Sequence, residues 1–295
     1  MTTTEIGRET PAPRDTVALI DEVFLRQRGR TGSMRARFPH VLGEGAASTL
    51  WVAREGATVV SCLVVHEIDW LVADRWTRVG LVGFVCTADA HRGRGLSSEL
   101  LRRAAAAPSQ GREHLLLWTT IPGFYSALGW TARDASQLGM CVSEPPHGVA
   151  ARARVDSAGG CSAAELEPIR ERWAPCRVRR DDAAYAVVPP SASDVLVLRP
   201  EAAKSTEQDG FALVGVSEGT AYLYDLVTSP EAFTSIWPAL RALRPRLLVN
   251  SHPSEPSFRL LKKQAGVQWS PQNQAMWFGA PPPLAERYIP YLDRI

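Results

Sequence analysis

The chain has little of what several specialised protein classes require. Its 295 residues include five cysteines, Cys62, Cys86, Cys141, Cys161 and Cys176, scattered without a CxxC pair. That spacing excludes a disulfide framework and a cysteine zinc site, and points to free buried thiols. No apolar run approaches the roughly 20 residues of a membrane-spanning helix. Neither sign of charge dominates, with 33 Lys and Arg against 31 Asp and Glu and a net charge of +2. The electrostatic footprint of a nucleic-acid binder is therefore missing. The first 14 residues are polar, carry Pro11 and Pro13 and lack the apolar core of a signal peptide. They read as a disordered tail on a cytoplasmic protein, with 282–295 as a second tail at the other end.

What is present is ordinary for a soluble globular chain: 45% hydrophobic and 22% charged residues. The length suffices for two domains, read here as 15–145 and 146–281. In the first, a helix is expected over about 15–28, with Val17, Ile20, Val23 and Phe24 on one face. Strands follow at 49–53, 58–68 and 76–87, with a turn at Glu55-Gly56 between the first two. A helix carrying Leu96, Leu100, Leu101 and Ala104 ends at Pro108 and Gly111. The strand His114 to Thr119, a short helix after Pro122-Gly123 and a final hairpin complete this half. Strand, helix, strand implies a right-handed crossover and a local parallel pair, hence an α/β layer with a mixed sheet and flanking helices.

The second half repeats the outline, with a helix over 162–173, strands near 194–198, 210–216 and 221–227, a helix over 231–243 and a strand at 246–250. Both halves then carry an apolar residue, a glycine five positions later and an apolar residue entering a strand: Phe124, Gly129 and Trp130, against Leu261, Gly266 and Val267. A methionine follows in each returning strand, Met140 and Met276. The pattern predicts a duplicated fold.

The informative segment runs from Val85 to Ser98, VCTADAHRGRGLSS. A strand ends, the chain turns through Arg92, Gly93, Arg94 and Gly95, and a helix opens at Leu96, Ser97 and Ser98. Unpaired N–H groups at a helix start, together with the helix dipole, make an anion site that suits a pyrophosphate. Gly93 and Gly95 allow close backbone approach, and Arg92 and Arg94 supply flanking charge. The turn is not a GxxxxGK[ST] loop, and GxGxxG fails at Ser98.

Arg92-Gly93-Arg94-Gly95-Leu96-Ser97 resembles the R/Q-x-x-G-x-G/A acyl-CoA motif of the GNAT superfamily of N-acetyltransferases, departing only where Ser97 replaces Gly or Ala. Phe124-Tyr125-Ser126-Ala127-Leu128-Gly129-Trp130 looks like the F-Y-x-x-x-G-F segment of the same family. The segments Arg37-Phe38-Pro39-His40 and Val79-Gly80-Leu81-Val82-Gly83 are similar to the branch that includes tandem-domain and Eis-like members. The resemblance implies a tandem GNAT fold whose second copy is degenerate, with Thr228-Ser229-Pro230-Glu231 in place of the phosphate turn and Lys262 in place of Tyr125. It implies direct transfer from acetyl-CoA, or another acyl-CoA, to a small-molecule amine, without a metal. Backbone N–H groups around Phe84, Val85 and Cys86 would stabilise the oxyanion. Tyr125, of ordinary pKa about 10, would protonate the departing thiolate.

Among His66, Glu67 and Asp69, strand alternation puts Glu67 and Asp69 on one face, and Glu67 is the preferred general base. Cys86 has no Cys/His/Asp set to make it a nucleophile. Trp118, Trp130 and Trp269 are expected to help line an acceptor cleft between the halves. The alternative is an acyl-CoA-binding pseudoenzyme with a regulatory or scaffolding role. Aminoacyl transfer from tRNA is disfavoured, because that donor needs no pyrophosphate turn.

Overall fold

In the first half of the chain, strands and helices follow the sequence pattern closely. The computed structural model describes residues 4–10, 12–107, 112–142, 153–201, 209–279 and 289–295. The elements are β1 (Thr4–Glu9), α1 (Arg14–Phe24), α2 (Met34–Arg37), α3 (Pro39–Leu42), β2 (Ser48–Glu55), β3 (Thr58–Val72) and β4 (Arg75–Thr87). Then come α4 (Leu96–Ala106), β5 (Arg112–Trp118), α5 (Pro122–Ser126), β6 (Trp130–Ala132) and β7 (Gln137–Val142). The second half contributes β8 (Ala153–Ser157), α6 (Ala163–Trp173), β9 (Arg177–Val178), α7 (Asp182–Tyr185), β10 (Asp194–Pro200), β11 (Gly210–Val216) and β12 (Thr220–Thr228). It closes with α8 (Pro230–Leu243), β13 (Arg246–Ser251), α9 (Pro256–Lys262), β14 (Val267–Pro271) and β15 (Ala275–Phe278). The expected helix stop at Pro108 and Gly111, and the join between the halves at 143–151, lie outside the described residues.

Two mixed sheets result, ordered β1-β2-β3-β4-β5-β15-β6 and β14-β7-β13-β12-β11-β10-β8, with β9 added beside β3. Read from β1 and from β8, the two orders are the same sequence of equivalent strands, so the fold is duplicated. In each sheet one parallel pair, β4 with β5 and β12 with β13, follows an antiparallel run. The helix between the members of each pair, α4 or α8, covers the outer face. The inner faces share one apolar cluster, running from Ile20 and Phe84 through Leu292 to Phe211 and Tyr224.

The expected hairpin at the end of each half does not form. β6 and β7 separate: β15 inserts between β5 and β6, Met276 opposite Leu117 and Ala132, while β7 inserts between β13 and β14, Met140 opposite Leu248 and Gln268. The two methionine-bearing strands have changed places, and the boundaries 15–145 and 146–281 therefore do not enclose two self-contained sheets.

The tails also need correction. Residues 4–9 are not disordered but pair along β2, from Thr4 opposite Glu55 to Glu9 opposite Leu50. Residues 289–295 are not a tail: Ile289, Leu292, Asp293 and Arg294 are buried. The Asp293 carboxylate accepts from Arg180 Nε and Nη2 at 2.6 and 2.7 Å, and Arg180 Nη1 donates to Asp225 at 2.9 Å. A buried guanidinium between two carboxylates is costly to break, at about 3–5 kcal/mol for loss of one partner. Among the described residues no helix is long and apolar enough to cross a membrane.

Among the described residues, Glu255, buried just before α9, has a carboxyl oxygen without a hydrogen-bond partner. Loss of hydration, reinforced by Asp225 and opposed by Arg170, pushes its pKa up to about 8. An acid whose folded pKa is raised costs stability progressively as pH climbs from its usual value, 4.5, towards 8. Glu255→Gln is expected to match wild type in thermal unfolding at pH 5 and to exceed it by about 1–3 kcal/mol at pH 8.5. An equal difference at both pH values would contradict this.

Candidate active site

The site begins where the sheet opens. β4 pairs with β5 only from Arg78 to Leu81, and beyond that point the two strands part. On its other side β4 carries a bulge: Val64 faces Gly83 and Cys62 faces Cys86, so Phe84 and Val85 together oppose Leu63. Phe84 sits at φ +50°, a backbone region that a bulky side chain seldom adopts. Bulge and splay leave Phe84 and Val85 outside the regular pairing. The Cys86 side chain turns inward, its Sγ 3.4 Å from that of Cys62.

The turn after β4 is tied to the sheet by hydroxyls. Ser61 Oγ donates to the Cys86 carbonyl at 2.8 Å, Thr87 Oγ1 lies 2.8 Å from Ser61 Oγ, and Thr87 Oγ1 lies 2.7 Å from Ser97 Oγ at the start of α4. Gly93 and Gly95 stand at φ +76° and +75°, and a Cβ at either would project into open space. The left-handed geometry bends the turn so that its amides and the first turn of α4 border one cavity of about 380 Å³. Arg92, Gly93, Arg94, Gly95, Leu96, Ser97, Ser98, Val85, Cys86 and Tyr125 all line it. Phe84 does not, and lies in the apolar cluster shared by the inner faces.

The arginine charge is already engaged. Arg92 pairs with Asp89 at 2.7 Å and Arg94 with Glu55 at 2.6 Å. The first pair is exposed and the second half so, a class contributing about 0–1 kcal/mol, so an incoming pyrophosphate can draw either guanidinium away. Tyr125, buried on α5, packs edge-on against Phe124 and Trp130. Its hydroxyl makes no hydrogen bond among the described residues. Loss of hydration pushes its pKa up to about 12, above the ordinary value assumed from sequence.

A second cavity, of about 490 Å³, lies between the halves. His40 and Glu44 line it from the α3–β2 region, His66, Glu67 and Asp69 from β3, and Arg179, Arg180, Asp181 and Asp293 from the second half. Arg180 is neutralised by its two carboxylates. His66 Nδ1 is 2.9 Å from Ser48 Oγ, and its ring meets that of His40 edge-on at 5.2 Å. Burial lowers the His40 pKa to about 4; burial, reinforced by His40, lowers that of His66 to about 3. Both imidazoles are therefore neutral at physiological pH, and carboxylates outnumber cations around the space.

Glu67 is thus held in the interdomain cavity, 3.9 Å from Arg112, and Tyr125 in the other. Sequence reasoning missed His40 and the contribution of Arg180, Asp181 and Asp293, whose positions depend on the packing of the halves. Trp118, Trp130 and Trp269 line neither cavity. Trp130 is core beside Tyr125, Arg294 covers Trp118, and Trp269 packs on Phe258.

In the second half the splay recurs, β12 pairing with β13 only as far as Leu223, with a bulge at Tyr224. There the Ser229 side chain caps its own helix, accepting from the Ala232 N–H at 3.0 Å. Lys262, which the glycine spacing aligns with Tyr125, is exposed, its ammonium over Phe258 and Trp269, and the neighbouring Leu261 is the buried residue.

Residues 13–133 match the family model described as an acetyltransferase (GNAT) domain. No curated protein matches the chain in sequence. Among solved structures, a GCN5-related N-acetyltransferase from Kribbella flavida is 16% identical with a TM-score of 0.64, the match covering 93% of this chain and 71% of that one. Eis1 from Mycobacterium abscessus is 15% identical with a TM-score of 0.59, over 93% and 73% of the two chains. A tandem GNAT protein from the clavulanic acid biosynthesis pathway is 16% identical with a TM-score of 0.55, over 93% and 98%. At these identities the likeness speaks for the fold. Taken with the strand-to-helix turn it contains, the match identifies residues 13–133 as an acetyltransferase (GNAT) domain, within a chain whose fold carries one sheet order twice.

Proposed function

We propose that the chain transfers an acetyl group from acetyl-CoA to a small-molecule amine held between its halves. The observation that carries this reading is the shared cavity in which a glycine-bent helix start and the Tyr125 hydroxyl converge. The turn from Arg92 to Ser98 would hold the pyrophosphate, and the open edge of β4 would pair with the pantetheine arm. Bound there, acetyl-CoA supplies an activated acyl carbon at the bulge. The N–H groups of Phe84, Val85 and Cys86 stabilise the oxyanion formed as the amine attacks, a type of contribution worth about 10²–10³ in rate per donor. Glu67 takes the proton released by the amine, through water. Tyr125 gives its proton to the departing thiolate as the C–S bond breaks, leaving an amide and CoA. The interdomain cavity, at about 490 Å³, has the size of a small-molecule site, and its excess of carboxylates over free cations favours a positively charged acceptor.

Three outcomes are expected. Gly93 and Gly95 replaced together by valine should abolish acetyl-CoA binding in calorimetry while the far-UV circular dichroism stays unchanged; undiminished affinity ends the cofactor assignment. Tyr125→Phe should bind acetyl-CoA normally and lose about 10²–10⁴ in kcat. Because burial lifts the Tyr125 pKa to about 12, the wild-type rate should show no alkaline fall from this group below pH 11. Glu67→Gln should lower kcat by at least about tenfold while acetyl-CoA affinity stays unchanged; a kcat equal to wild type assigns the base elsewhere.

A further inference from the structure

Between its bulge and the Arg92–Ser98 turn, β4 is held to β3 by a short stretch: Cys86 opposite Cys62 and Thr87 opposite Ser61, after which the Ala88 N–H donates to the Val60 carbonyl at 2.9 Å. The two faces of that stretch carry different chemistry, as strand alternation requires. On one face the hydroxyls of Ser61, Thr87 and Ser97 join in a chain that ties the stretch to the start of α4. On the other, Cys62 and Cys86 meet in the apolar cluster shared by the inner faces, their Sγ atoms 3.4 Å apart. Residues directly opposite on antiparallel strands have Cα atoms about 4.5–5.5 Å apart, within the range that a disulfide spans. Both thiols are free. Cys86 also lines the cavity at the start of α4, whereas Cys62 does not and is fully buried. The hydrogen bond between the thiols, reinforced by loss of hydration, pushes the Cys62 pKa up. Cys86 is therefore the sulfur that a small oxidant meets first, and Cys62 the protonated partner beside it.

We infer that Cys62 and Cys86 are a redox pair, closed to a disulfide by hydrogen peroxide and reopened by dithiols, and that closure lowers the affinity of the neighbouring cavity for acyl-CoA. In the first step the Cys86 sulfur, as thiolate, attacks one peroxide oxygen. The O–O bond breaks, water leaves, and Cys86 becomes a sulfenic acid. The Cys62 sulfur then attacks the Cys86 sulfur, the S–O bond breaks, and the hydroxide leaves with the Cys62 proton as a second water. Two thiols have lost two electrons, and the peroxide has gained them. Closure brings the sulfurs from 3.4 Å to about 2.05 Å. The bulge at Phe84 and Val85 interrupts the ladder just before Cys86, so the short stretch shifts as a unit. Its hydroxyl chain carries that shift to Ser97, and with it to the turn that borders the cavity. The effect on binding rests on the acyl-CoA reading given above; the disulfide itself does not.

The test needs no acceptor. Reduced wild type is treated with hydrogen peroxide, freed of it, and followed by intact mass, peptide mapping and calorimetric titration with CoASH. The mass should fall by about 2 Da as two thiol hydrogens are lost, and mapping should join the peptides that hold Cys62 and Cys86. CoASH affinity should drop at least about tenfold and return with dithiothreitol. Cys62→Ala, at a position that does not line the cavity, should bind CoASH as reduced wild type does. After peroxide it should form no link and should instead show a Cys86 sulfenic acid captured by dimedone. If that variant does not fold, the wild-type measurements decide by themselves. Peroxide treatment that leaves Cys62 and Cys86 unlinked overturns the inference, as does a link that leaves CoASH affinity unaltered. Reduced wild type that binds no CoASH sinks the acyl-CoA reading and the effect on binding with it, while mapping still decides whether the pair closes.

Discussion

The exchange of β7 and β15 is the constraint on which the rest of the molecule depends. Without β15, β5 would present an open edge beside its parallel partner; without β7, β13 would do the same. Unpaired strand edges in a sheet interior leave backbone groups unsatisfied. Each half thus completes its ladder with a strand from the other. The same crossing brings residues 289–295 back between the halves, where Asp293 joins Arg180 and Asp225 in a buried ion cluster. The interdomain cavity is a consequence, for its floor is β3 and its far wall is the segment from Val178 to Ala184.

Both sheets keep the bulge and the splay, so these belong to the fold rather than to the reaction. What differs is what occupies them. In the first half the helix start is left open by Gly93 and Gly95, and its nearest hydroxyls are spent on Ser61, Thr87 and Ser97. In the second, Ser229 satisfies its own helix and Tyr224, buried, fills the bulge. A handful of side chains therefore separates the two helix starts, one open and one capped, while the backbone path stays the same.

The two cavities also differ electrostatically, and the difference is built from burial. In the cavity at the start of α4, helix-start amides and displaceable arginines favour negative charge. On the other side, two desolvated imidazoles stay neutral and Arg180 is consumed by carboxylates.

The sequence by itself determined the elements and the chemistry that lies along one stretch of chain. The helix face of α1, the strands of the first sheet and the turn from Arg92 to Ser98 follow from local periodicity and from glycines beside a helix start. The glycine near the end of α5 and of α9 disclosed the duplication. Tyr125 and the Arg92–Ser98 turn border one cavity because both lie within the first sheet and its helices. What the sequence could not carry is pairing between distant segments. A returning strand with Met140 or Met276 satisfies its alternation equally well in either sheet, and only the assembled edges decide which one it completes. Nor does local sequence distinguish a tail from β1, whose backbone pairs along β2, or expose Asp293 as a partner for Arg180. Tertiary packing likewise settled the pKa of Tyr125 and of the two histidines, because desolvation is a property of everything around a group and not of its neighbours in the chain.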